Sequence, residues 1–156
     1  MINRYLGHLQ PGDPLDGYLR FDIAPQLGVQ GTQAGFRVFQ FTFSRDVYLY
    51  EEVGGAFRVV GKFFPPGRRL PQGLVRPPTE TEFHNLAHLH RLGLNSGPFR
   101  IARPLGYNPW LHHILMVEHF DGQILGEVID QAIRQNRRNR LFRKLSALAE
   151  FLAHLH

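Results

Sequence analysis

The sequence predicts an α+β fold: a five-stranded antiparallel sheet with one helix inserted after the third strand, then C-terminal helices. Three observations carry that expectation. Residues 36–64 form three short runs rich in Phe, Val and Tyr with polar residues on alternate positions, the pattern of strands with one buried face. Residues 79–92 carry Leu86, Leu89 and Leu92 at helical spacing. Two more strand-like runs follow, and the chain closes on Leu141, Leu145, Leu148, Leu152 and Leu155, a spacing that places all five on one helix face.

Each element has its local reason. Residues 1–35 hold Pro11, Pro14 and Pro25 among six glycines and read as an irregular lead-in. FRVFQFTF (36–43) is the first strand, Ser44-Arg45-Asp46 a short turn, and VYLYEEV (47–53) the second strand. Gly54-Gly55 is a hairpin signal, and FRVVGKFF (57–64) is the third strand. PPGRRLPQGLVRPP (65–78) is too rich in proline for regular structure and reads as a mobile surface loop. The helix from about Thr79 to Leu92 stops at Gly93. The fourth and fifth strands lie near 103–107 and 112–118, around the turn Asn108-Pro109-Trp110. After Phe120-Asp121-Gly122 the pattern is helical again. The organisation is therefore a lead-in (1–35), a sheet-and-helix lobe (36–122) and terminal helices (123–156).

Composition narrows the function. The chain has 156 residues, 43% of them apolar and 20% charged, which fits one globular domain. No run of 18 apolar residues occurs, so no membrane span and no membrane partner is expected. The N-terminus has no apolar leader core, and a cytoplasmic location is the simplest reading. With no cysteine, disulfides, thiol nucleophiles and cysteine zinc sites are excluded. The net charge of +5 traces to one segment, QAIRQNRRNRLFRK (131–144), with six positive charges and no acid. Only Phe142 interrupts the basic run 134–144 with an aromatic ring, so base stacking is poorly provided for and nucleic acid is a minor expectation. Nine histidines include His84 and His88 at i, i+4, and the pairs His88/His90, His112/His113 and His154/His156. No HExxH occurs, and no metal site is expected.

The order of elements, with Lys62 in the third strand and Glu82 early in the helix, resembles the N-terminal lobe of kinase-like phosphotransferases, and the local sequences are most similar to the aminoglycoside/choline phosphotransferase family. Four segments carry the resemblance over residues 36–156: Val59-Val60-Gly61-Lys62, EFHNLAHLHRLGL, RPLGYNPWLHHILMVEHFDGQIL and KLSALAEFLAHLH. The resemblance implies that ATP lies on the face shared by Val60 and Lys62, with the lysine on its phosphates and Glu82 holding the lysine. A plain alternative exists for Glu82, because Thr79-x-x-Glu82 is also a capping box. The resemblance makes Val117 the gatekeeper of the adenine pocket. It has the Glu118 carbonyl accept from the adenine amino group and the Phe120 N–H donate to the ring. The alternative is an ordinary strand-to-helix turn. Ser44 and Arg45 are candidates for phosphate contact from the turn, or simply turn residues.

Two departures matter. The turn at 43–46 lacks the family's glycines, so fewer backbone N–H groups can approach phosphate. The family's catalytic-loop aspartate and asparagine and its metal-binding aspartate have no counterpart here, so Mg²⁺ is implied only with a second lobe, and the chain alone is expected to be inactive. A non-catalytic kinase-like module for protein interaction is the second reading and nucleic-acid binding through 134–144 the third. The leucine line 141–155 is expected to meet a second copy or a partner chain.

Overall fold

The computed structural model describes residues 3–30, 34–55, 57–64, 78–96, 99–122 and 125–154. The chain divides into two compact units, residues 2–119 and residues 120–156. The first unit is α+β. Its main sheet has strands β1 (Arg4–His8), β2 (Phe36–Gln40), β3 (Val47–Glu52), β4 (Arg58–Phe63), β7 (Pro104–Asn108) and β8 (Ile114–Glu118). They lie in the order β1-β2-β3-β4-β8-β7, every neighbouring pair antiparallel. Helix α2 (Pro78–Arg91) follows β4, and a separate two-stranded ribbon pairs β5 (Asn95–Ser96) with β6 (Phe99–Arg100).

The sheet thus has six strands where five were expected, and the extra one comes from the supposed irregular lead-in. β1 is an edge strand exposed along most of its length. It has no buried face to impose alternation, and Gly7, at φ 128°, lies where the register with β2 slips. The same segment is also helical from Pro14 to Leu27: α1 (Pro14–Tyr18), one π turn (Leu19–Ile23) and one 3₁₀ turn (Ala24–Leu27). Asp13 caps α1 by accepting from the Leu15 N–H at 2.8 Å, and Pro14 and Pro25 occupy first-turn positions. There a missing N–H costs nothing, so these prolines start helical turns rather than break them. The predicted loop 65–78 lies outside the described residues, save Pro78, which opens α2.

The core fills the face of the sheet covered by residues 14–27. Leu19, Ile23 and Ala24 pack with Phe36, Tyr50, Phe57, Val59, Leu105, Ile114 and Met116, all buried. Gly61 faces this core because no side chain fits: a Cβ there would lie 2.7 Å from Tyr50 Cε2, 3.0 Å from Ile114 Cδ1 and 3.2 Å from Met116 Sδ. Gly61→Ala is expected to cost about 1–3 kcal/mol through overpacking. The check is a lowered urea midpoint at unchanged slope.

Two core phenols make stability alkali-sensitive. Burial, with help from Asp22, pushes Tyr18 up to about 12. Burial also pushes Tyr50 upward, reinforced by Tyr48 and Asp13. Between about pH 10 and pH 12 the unfolded chain has released these protons while the folded chain keeps them. Stability therefore falls as pH rises through that window and is unaffected by these groups below it. Urea midpoints measured across the window should fall less steeply for Tyr50→Phe than for the natural sequence.

The second unit is a helical hairpin of α3 (Leu125–Arg134) and α4 (Arg138–His154). Asn136 takes φ 49°, and the Arg137 N–H donates to the Ala132 carbonyl at 3.0 Å. This is a Schellman closure of α3 with asparagine in the left-handed position. Val128 and Ala132 are buried, whereas Leu145, Leu148 and Leu152 of the expected leucine line are exposed. Leu141 is half-buried, and Leu155 lies outside the described residues.

Candidate functional site

The sheet face opposite the core carries the candidate residues. Alternation along β4 turns Val59, Gly61 and Phe63 to the core and Arg58, Val60 and Lys62 to the other face. Register sets their neighbours: Val60 lies between Leu49 and Val117, and Lys62 between Val47 and Leu115. Val60 and Val117 are half-buried and Leu49 is buried. These three form an apolar strip in mid-sheet, one β4 alternation from the ammonium of Lys62, or roughly 7 Å along the strand.

Helix α2 packs on the same face, against β7 and β8. The Phe83 ring meets Tyr107 at 5.1 Å between centroids, and Tyr107 pairs in register with Leu115. The Thr79 hydroxyl, buried, donates to the His113 carbonyl at 3.2 Å. His112 and His113 hold left-handed backbone, φ 52° and 53°, in the turn that brings that carbonyl to the helix. α2 ends in a second Schellman closure: Gly93 takes φ 95° and the Leu94 N–H donates to the Leu89 carbonyl at 3.2 Å. Gly93 is the stop that the sequence indicated.

That packing brings Glu82 to Lys62. Lys62 Nζ donates to Glu82 Oε1 at 2.6 Å. The side chains retain 40% and 33% of their exposure, so the pair stands at the surface of the open face. Lys62 Nζ also lies 5.4 Å from the centroid of the Phe64 ring, within cation–π range. The capping-box alternative does not form. The helix starts at Pro78, which puts Thr79 inside the first turn, and its hydroxyl is bonded to His113 instead.

The turn after β2 sits at the lysine end of the sheet. It runs from Phe41 to Asp46, longer than expected, because the first strand stops at Gln40. Phe63 N–H donates to the Asp46 carbonyl at 2.8 Å. Within the turn, the Ser44 N–H donates to the Phe41 carbonyl at 3.2 Å, and its hydroxyl accepts from the Asp46 N–H at 3.4 Å. The Arg45 carbonyl accepts from Gln40 Nε2 at 2.9 Å. Ser44 is thus bonded within the turn, while Arg45 is exposed.

At the other end of the strip, Glu118 opposes Val59. Its N–H donates to the Arg103 carbonyl at 2.9 Å, and its carboxylate pairs with Arg100 at 2.8 Å. That ion pair had no signal in the sequence, since Arg100 belongs to a two-residue strand. Leu49 was likewise not singled out, although register makes it the neighbour of Val60. Beyond them Glu51 bridges Arg37 at 3.2 Å and Arg58 at 3.1 Å. Phe120 belongs to the second unit. Among the described residues, no three His, Asp or Glu side chains are grouped to hold a metal ion, and no helix is long and apolar enough to cross a membrane. His84 faces Glu80 at 3.7 Å on its own helix.

No protein-family model, curated protein or solved structure matches this chain.

Proposed function

We propose that the first unit is the nucleotide-binding lobe of an ATP-dependent small-molecule phosphotransferase. One observation carries the reading: Lys62 and Glu82, twenty residues apart, meet at 2.6 Å on an open sheet face beside an apolar strip. A strand lysine paired to a helix glutamate is the device that kinases use to hold an ammonium against the α- and β-phosphates. The strip of Leu49, Val60 and Val117 suits the flat apolar face of a purine, and Lys62 lies where phosphates leaving that strip would extend. The ammonium keeps the exposure that a phosphate partner requires. Glu118 is the proposed backbone partner of the adenine edge within this unit.

These residues bind and orient; they do not fit a magnesium site, which needs carboxylates grouped around the phosphates. In this reading the metal and the group that activates the acceptor belong to a second lobe. The glycine-free turn at 41–46, bonded within itself, favours one other reading, a kinase-like module that binds protein and no nucleotide. Titration with a fluorescent ATP analogue, displaced by ATP, separates the two. Saturable displacement supports the nucleotide lobe. No binding at millimolar ATP transfers the assignment to the interaction module.

A further inference from the structure

The segment between α2 and β7 touches the proposed site at one residue. The chain leaves α2 through the left-handed Gly93, pairs Asn95 with Arg100 and Ser96 with Phe99 in the β5–β6 ribbon, and returns toward β7. Three contacts fix the returning part. The Ile101 N–H donates to the Leu94 carbonyl at 3.1 Å. His90 Nε2 lies 3.0 Å from the Ile101 carbonyl; a carbonyl only accepts, so that nitrogen is the donor. The Arg103 guanidinium donates to the Gln26 carbonyl. Residues 100–103 are therefore held to α2 on one side and to the 3₁₀ turn over the core on the other.

This segment grips Glu118 twice. The Glu118 N–H donates to the Arg103 carbonyl at 2.9 Å, and Arg100 Nη2 donates to Glu118 Oε1 at 2.8 Å. The grip falls where the sheet stops guiding the strand: Val59–Glu118 is the last pair between β4 and β8, and pairing with β7 already ends at Val117. The Arg100 and Glu118 side chains keep 47% and 24% of their exposure, and exposed pairs contribute little to stability. What a charge-assisted bond supplies here is direction. We infer that Arg100 is a positioning residue for base recognition: by holding the Glu118 side chain it aims the Glu118 carbonyl at the exocyclic amino group of adenine. The inference rests on the nucleotide reading above and adds the residue that sets its choice of base. Helix α2 then serves both ends of the ligand, since it carries Glu82 to Lys62 and, through His90, anchors the segment that holds Glu118.

The test compares ATP with ITP on the full chain, each displacing a fluorescent ATP analogue. The two share sugar and phosphates, but the hypoxanthine of ITP lacks the amino donor, so their ratio reads the base edge alone. The natural sequence is expected to prefer ATP about 2- to 10-fold, the effect of one neutral hydrogen bond. Arg100→Gln should bring ATP down to the level of ITP, leave ITP where it was and leave the melting temperature unchanged. Arg100→Lys, which restores a cation opposite Glu118, should recover most of the preference. Lys62→Ala should weaken both nucleotides equally and keep their ratio. A preference that survives in Arg100→Gln overturns the inference. Equal binding of ATP and ITP by the natural sequence also overturns it and leaves the nucleotide reading standing. If neither nucleotide displaces the analogue, the inference and that reading fall together.

Discussion

Lys62→Ala is expected to lower ATP affinity about 10- to 100-fold while leaving the fold nearly as stable as before. The two halves of that expectation have different causes. A charge-assisted hydrogen bond to phosphate contributes about 1.5–3 kcal/mol, and each 1.4 kcal/mol is a factor of about ten in binding. The ion pair with Glu82, by contrast, keeps 40% and 33% exposure on its two side chains. Exposed pairs contribute about 0–1 kcal/mol to stability, so the melting temperature should shift little. Glu82→Gln leaves the ammonium in place without its anchor. Affinity should then fall only several-fold, and the effect should be small when Lys62 is already gone. A double-mutant cycle isolates that coupling. Equal losses of stability and affinity in Lys62→Ala would show that the lysine is structural.

Phe36→Ala should be the most destabilising single truncation, about 3–5 kcal/mol. Phe36 is fully buried. Its ring lies 5.5 Å from that of Phe57, and the Arg20 guanidinium sits over it at 5.2 Å. Arg20 is itself held by Asp16 at 2.7 Å and donates to the Ala34 carbonyl at 2.7 Å. Removing the ring opens a cavity and takes away the surface on which residues 14–27 are laid. The loss is large against a total stability of about 5–15 kcal/mol. Chemical unfolding should show a much reduced midpoint. A loss below about 1 kcal/mol would mean that the N-terminal helical segment does not cover the sheet.

The lobe from 36 to 118 was legible because its strands bury one face and its helix ends at a left-handed glycine. Both facts are local. The alternation at Val59, Gly61 and Phe63 is what turned Lys62 outward, so the lysine and its strand neighbours could be placed from periodicity. The resemblance supplied Glu82 as its partner, and only packing decided between that role and a capping box: Thr79 is consumed by the His113 carbonyl, contributed by a turn 34 residues further along the chain. β1 was illegible because an exposed edge strand needs no hydrophobic pattern. The helical segment at 14–27 was hidden because its prolines sit at first-turn positions, where proline starts helices. The Asp13-Pro14 pair was the available signal for it. The Arg100–Glu118 pair joins a two-residue strand to the end of β8, and no sequence pattern reports such a contact.

The open face of the sheet is proposed to bind a nucleotide between Val60 and Lys62. The most direct measurement is a titration of the isotopically labelled full chain with ATP, followed through its backbone amide resonances, beside Lys62→Ala. Shifts are expected to cluster at Leu49, Val60, Lys62 and Val117, saturating together and weakened in the variant. Shifts confined to the basic segment 134–144, or unchanged by the loss of Lys62, would contradict it.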